Sequence, residues 1–280
     1  MNKVFEKNKI LIPISAVLLV ILFSIIEILL RFVVAPESWI SSTIPQTILS
    51  NLIKLVLSAI FIFLTTKVYK LKIGFGKSKL VKGLFWYGLV VCIATVFNFV
   101  GGYIKPEISF IQALPMIMLY LVYSISVGLY EEIACRGFVF GLFRKYFGDS
   151  KKGIYLSVLL SALVFGCAHF VNLIVYPELV ISTIAQVISA SLVAVLFAVI
   201  YYRTENLLPC IILHSAFDFA GFFWFCFAKD IDQMMSTSNT TDSDIISALA
   251  FIGLSSTFLI SGLWQLRTVF KNKSENHNQN

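Results

Sequence analysis

Tyr130-Glu131-Glu132-Ile133-Ala134-Cys135-Arg136 places two adjacent carboxylates and an arginine toward the end of a hydrophobic run that begins near Phe110. Ionisable groups within a bilayer are costly and are retained for function, usually with a partner nearby. On a helix, Glu132 and Arg136 are four apart with the acid on the N-terminal side, so they share a face and can neutralise each other. Glu131 points about 100° away from that pair and is the free carboxylate. Two further apolar segments carry histidine. Phe165-Gly166-Cys167-Ala168-His169 closes one, and His214-Ser215-Ala216-Phe217-Asp218 lies within another, with His214 and Asp218 on one helix face. A carboxylate and an imidazole around a water can take its proton and direct it at a carbonyl carbon. A second imidazole with another polar group can stabilise the oxyanion that forms. The set suggests amide hydrolysis by activated water; there is no Ser-His-Asp order and no H-E-x-x-H.

The elements that must position these residues are transmembrane helices. The chain is 58% hydrophobic and 13% charged, with mean hydropathy +0.88, a balance foreign to soluble domains. Five scattered cysteines with no C-x-x-C pairing suggest neither a disulfide framework nor a thiolate metal site. The reading is an all-α polytopic protein with about eight membrane helices and an active site inside the helical bundle. One integral membrane domain covers residues 1–280. The spans are Ile10–Val34, Ile48–Thr66, Leu80–Tyr103, Phe110–Leu142, Ile154–Ile174, Leu179–Tyr202, Leu207–Phe227 and Ile245–Leu266. The first is read as uncleaved, since a signal peptide has a shorter core and a small-residue cleavage site. The fourth is too long for one simple crossing. Glu27 and Arg31, four apart, are expected to form a local ion pair near an interface, and Lys54 is expected to snorkel. The tail, residues 271–280, is expected to be disordered and cytoplasmic.

Positive charge sets the orientation. With the N-terminus inside, inner segments and their edges hold Lys3, Lys7 and Lys9, the cluster from Lys67 to Lys82, that from Arg144 to Lys152, Arg203, and Arg267 to Lys273. These are seventeen of the 22 Lys and Arg. Both termini are therefore expected in the cytoplasm of a cell membrane protein. Counting from the inner charges puts Glu131 about 20 Å, His214 about 17 Å and His169 at most about 25 Å into the membrane. Three helices can thus present one pocket.

These motifs resemble a known family. E-E-x-x-x-R, F-x-x-x-H and H-x-x-x-[N/D] on separate hydrophobic helices are similar to the CPBP intramembrane proteases, also called the CAAX protease and bacteriocin-processing or Abi family. That group includes the type II CAAX prenyl endopeptidases and lysostaphin-resistance-like proteins. The resemblance covers about Met116 to Phe227. It implies that Glu131 and His169 activate the hydrolytic water, that His214 and Asp218 line the oxyanion side, and that Glu132 and Arg136 support the site or orient substrate. Prenyl endopeptidases usually have asparagine where this chain has Asp218; an ionised Asp218 repels an oxyanion, so it must be protonated, act through His214 or bind a metal. If a metal is used, Glu131, His169, His214 and Asp218 form a plausible zinc set, although the reading preferred here requires no cofactor. The implied partners are the bilayer and a membrane-associated or lipidated peptide or protein, with no nucleic acid. Richness in Lys, Asn, Ile and Phe suggests an AT-rich bacterial source. Two rival readings stay open: a non-catalytic bacteriocin-immunity or scaffolding protein, and a proton-coupled transporter, whose needs a buried Asp/Glu/His chain also meets.

Overall fold

The computed structural model describes residues 11–36, 42–240 and 242–277. Every regular element among them is helical, as hydrocarbon requires of a chain that must satisfy its own backbone hydrogen bonds. Among the described residues, seven helical segments are long and apolar enough to cross a membrane. We number the helices α1 Leu11–Val34, α2 Thr43–Phe63, α3 Leu89–Gly101, α4 Phe110–Glu132, α5 Gly141–Phe147, α6 Lys151–Ala168, α7 Asn172–Val175, α8 Val180–Thr204, α9 Leu208–Phe222, α10 Ile231–Thr240 and α11 Ile245–His277. The expected basic N-terminal residues Lys3, Lys7 and Lys9 lie outside the described residues. So do residues 278–280 of the tail, whereas helix α11 carries on through Lys271 to His277.

Two expected spans differ in form. Leu80–Tyr103 is not one helix. A wide turn of helix, Lys82–Tyr87, is separated at Gly88 from α3, which is too short to count as a span. A Cβ at Gly88 would meet the tip of the Leu213 side chain of α9 at 2.4 Å, so the break lies where α9 packs closely. The long fourth span changes winding instead of running on uniformly. Between α4 and α5, residues Ile133–Phe140 form a wide helical turn whose eight residues are all buried; such widened turns recur at functional sites.

Helix α8 is the most enclosed of the seven, buried over more than half of its apolar stretch, and packs against α6 and α11. Helix α4 lies between α2 and α9. Outward-facing side chains such as Val33, Phe97, Ile111 and Leu254 are each more than 70% exposed, which suits contact with lipid chains. Outside the bundle, Asp242 accepts hydrogen bonds from Ile181 N at 2.9 Å and Ser182 N at 2.7 Å. It therefore caps the first turn of α8 from a distant part of the chain, where orphan N–H groups and the helix dipole favour an anion.

Candidate active site

Two glycines set how close the motif-bearing helices come. A Cβ on Gly128 of α4 would stand 2.5 Å from Ser215 Oγ and 3.1 Å from Ile211 O, so α4 and α9 touch along a small-residue seam. Glu131 and Glu132 follow one turn later, opposite His214. A Cβ on Gly166 would stand 1.9 Å from Ser191 Oγ and 2.4 Å from Val187 O, drawing α6 onto α8. Helix α6 then ends at His169, which opens a tight turn, His169–Val171.

Glu132 is the hinge-pin of the charged cluster. Its Oε1 accepts from His214 Nδ1 at 2.8 Å and lies 2.9 Å from Arg136 Nη1. Both partners of the Glu132–Arg136 pair are buried, with side-chain exposures of 0% and 3%. The expected four-apart pair is present, and the contact with His214 is an addition that the local spacing did not reveal. The Arg136 guanidinium also lies over two rings, 4.4 Å from the centre of Phe165 and 5.2 Å from that of Phe197.

With Nδ1–H donated to Glu132, the opposite nitrogen of His214 faces the open side. Nε2 is 3.6 Å from Glu131 Oε2 and 3.5 Å from Asp218 Oδ2. These are charge contacts too long for good hydrogen bonds. His169 has its Nδ1 3.0 Å from the Phe165 carbonyl; since a carbonyl only accepts, Nδ1–H donates and the neutral ring keeps Nε2 as an acceptor. Phe165 separates the two imidazoles, its centroid 5.1 Å from that of His169 and 6.2 Å from that of His214.

Glu131, His169, His214 and Asp218 line one cavity of about 330 Å³, whereas Glu132 and Arg136 stand behind it. The same cavity is lined by residues that the sequence reading set aside or passed over. Glu27 bonds to Lys54 across helices and not to Arg31, and Lys54 is 6% exposed, also hydrogen-bonded to Ser50 Oγ at 3.0 Å. The local Glu27–Arg31 pair and the snorkelling lysine are both corrected: a matched opposite charge on the neighbouring helix is a nearer partner than water or headgroups. Arg31, Tyr123, Asn172 and Gln186 complete this polar lining, with Asn172 Nδ2 donating to Gln186 Oε1 at 2.8 Å. The signal for Glu27 and Lys54 was in the sequence, as opposite charges inside two consecutive apolar spans.

The zinc set does not assemble. Among the described residues, no group of three or more His, Cys, Asp or Glu is arranged to hold a metal ion. No step below is routed through a metal.

Residues 113–220 match the family described as type II CAAX prenyl endopeptidase Rce1-like. The match supports a protease of the CPBP family. It contains every motif residue from Glu131 to Asp218, so the resemblance drawn from those motifs is borne out, and it supports a CAAX-type intramembrane endopeptidase in general terms. No curated protein and no solved structure matches the chain.

Proposed function

We propose that the protein hydrolyses a peptide bond in a membrane-associated or lipidated peptide, using water activated by Glu131 and His169. The observation that supports this most directly is the gathering of Glu131, His169, His214 and Asp218 on one cavity of about 330 Å³. Water held between the Glu131 carboxylate and His169 Nε2 gives its proton to Glu131 as its oxygen attacks the carbonyl carbon. The charge that develops on the carbonyl oxygen is met by the Nε2–H of a doubly protonated His214. Collapse breaks the C–N bond, and Glu131 returns the proton to the leaving amine.

In this scheme Asp218 acts through His214. At 3.5 Å from Nε2 it helps to hold the imidazolium on the side where the oxyanion forms. Glu132 fixes the ring from the other side through Nδ1, and Arg136 balances Glu132. Both are positioning residues. The charge bias of the loops supports an orientation with both termini cytoplasmic, in which Lys82–Gly101 makes an eighth, broken crossing.

Mass spectrometry of peptide termini tests the proposal, comparing membranes that carry the parent with membranes that carry Glu131→Gln at equal abundance. The expected result is a set of new termini found only with the parent. Identical lists, in cells where the variant keeps any bacteriocin resistance the parent confers, would replace hydrolysis with the immunity reading.

A further inference from the structure

The cavity has a direction. Its lining runs along α1 from Val20 to Arg31, back along the wide turn and α4 from Cys135 to Tyr123, from Phe165 on α6 to Asn172, and along α9 from His214 to Phe222. Contacts fix the sense of these helices. Glu132 of α4 meets His214 of α9 while Tyr120 meets Phe222, so α4 and α9 are antiparallel. Asn172, beyond the end of α6, meets Gln186 near the start of α8. All four runs therefore leave the level of the motif residues toward one end of the bundle. Arg31 and Gln186 stand only about 5 and 9 Å from the ends of α1 and α8 at that side.

The other end is sealed. Phe61, Phe138 and Phe140 are at most 1% exposed, and the Phe138 ring lies 5.5 Å from Phe61 and 5.0 Å from Tyr69. The shortest way out, about 9 Å along α9 from His214 to Leu208, is filled by buried Leu207, Cys210 and Leu213. Asn206 locks it, its Nδ2 donating to Gly76 O at 2.6 Å and Ser78 O at 2.9 Å. Exposure follows the same axis: 24% for the Glu131 side chain and 23% for Asp218, against 0% for Glu132. At the open end Asp232 Oδ1 accepts from Thr43 N at 2.7 Å, and Asp242 caps α8. The loop between α9 and α11 thus braces the rim, and none of its described residues lines the cavity.

The sealed end is the basic one, with the clusters Lys67 to Lys82 and Arg144 to Lys152 and with Arg203, whereas residues 229–244 at the open end hold a single lysine. Positive charge marks the cytoplasmic side. We infer that the site is entered from the extracytoplasmic face, and that the peptide it cuts is one whose cleaved segment has already crossed the bilayer. The inference rests on the proposed hydrolysis for what the entrance admits. An export or membrane-insertion step must then supply the substrate, and the products leave on the outer side.

Thiol labelling tests the entrance without turnover. Single cysteines at the open end, Asn172→Cys and Gln186→Cys, and at the sealed end, Lys77→Cys, are placed in full-length protein whose five native cysteines are replaced. The probe is the membrane-impermeant methanethiosulfonate ethyltrimethylammonium, which needs a hydrated, ionised thiol. The expected result is that both cavity cysteines react at least tenfold faster in right-side-out than in inside-out vesicles, and Lys77→Cys the reverse. Two cavity positions guard against one variant failing to fold. Cavity cysteines that react faster in inside-out vesicles, or from neither side, overturn the inference. So does a Lys77→Cys that reacts from outside, since the sealed end would then not be cytoplasmic. For the substrate, termini found only with the parent should lie on extracytoplasmic segments, and termini on cytoplasmic segments overturn that part. Identical lists of termini would sink hydrolysis and leave the labelling result standing, so the two failures are distinct.

Discussion

The two walls of the cavity hold charge in different ways. On the motif wall, formed by α4, α6 and α9, charges are interlocked: Glu132 Oε1 takes both His214 and Arg136, and His214 faces two more carboxylates. On the α1–α2 wall one pair, Glu27–Lys54, closes on itself, and Arg31 Nε has no hydrogen-bond partner among the described residues. The motif wall is covered by the family match and the other is not. Reacting atoms need a fixed geometry, so their supports are shared and rigid.

That contrast can be broken from either side. The largest effect is expected at Glu131, where Gln keeps the shape and removes the base. Product termini should fall by roughly 10²- to 10⁴-fold with thermal stability in detergent unchanged; a loss of less than tenfold would move the base elsewhere. Next comes Arg136→Ala, which strands Glu132 in a site with no exposure. Uncompensated buried charges of this kind cost about 3–5 kcal/mol, read as a lowered unfolding midpoint together with lost activity. Lys54→Met should cost less, about 1–3 kcal/mol for the stranded Glu27, and the double variant Glu27→Gln/Lys54→Met should recover part of it. A double variant no more stable than the single would mean that the pair is not an isolated unit.

The smallest effect lies outside the membrane. Hydrogen bonds from Ser182 and the α8 amides hold Asp242 at about 2, below the usual carboxylate range. Its folded value is depressed, so its contribution is fully present above the unfolded value near 4 and is lost as pH falls through about 2. Asp242→Ala should lower the melting temperature slightly at neutral pH, and the gap from the parent should close over that acid window.

The motif wall was legible because charges in apolar helices are conspicuous and local spacing pairs them, as with Glu132 and Arg136. The same local rule stopped short of His214, since nothing in a helical wheel says that α9 approaches Gly128. It also misassigned Glu27, whose partner is 27 residues away in Lys54. The break at Gly88 was hidden because apolar composition continues across Leu80–Tyr103, and its close neighbour, Leu213, is more than a hundred residues away. The wide turn at Ile133–Phe140 was equally silent: every residue in it is buried, so no alternation of polar and apolar faces marks the change in winding.

The place of Arg136 between Phe165 and Phe197 bears on mutational tolerance. A guanidinium is flat and weakly hydrated, so it lies face-on to aromatic rings while its edge reaches a carboxylate. An ammonium has the sign without the plane, and its strong hydration is lost in such a slot. Lysine, the usual conservative exchange, is therefore no exchange at all at this position. In a library randomised at residue 136 and selected for folded, active protein, arginine alone should return, because the site reads the outline of the side chain as well as its charge.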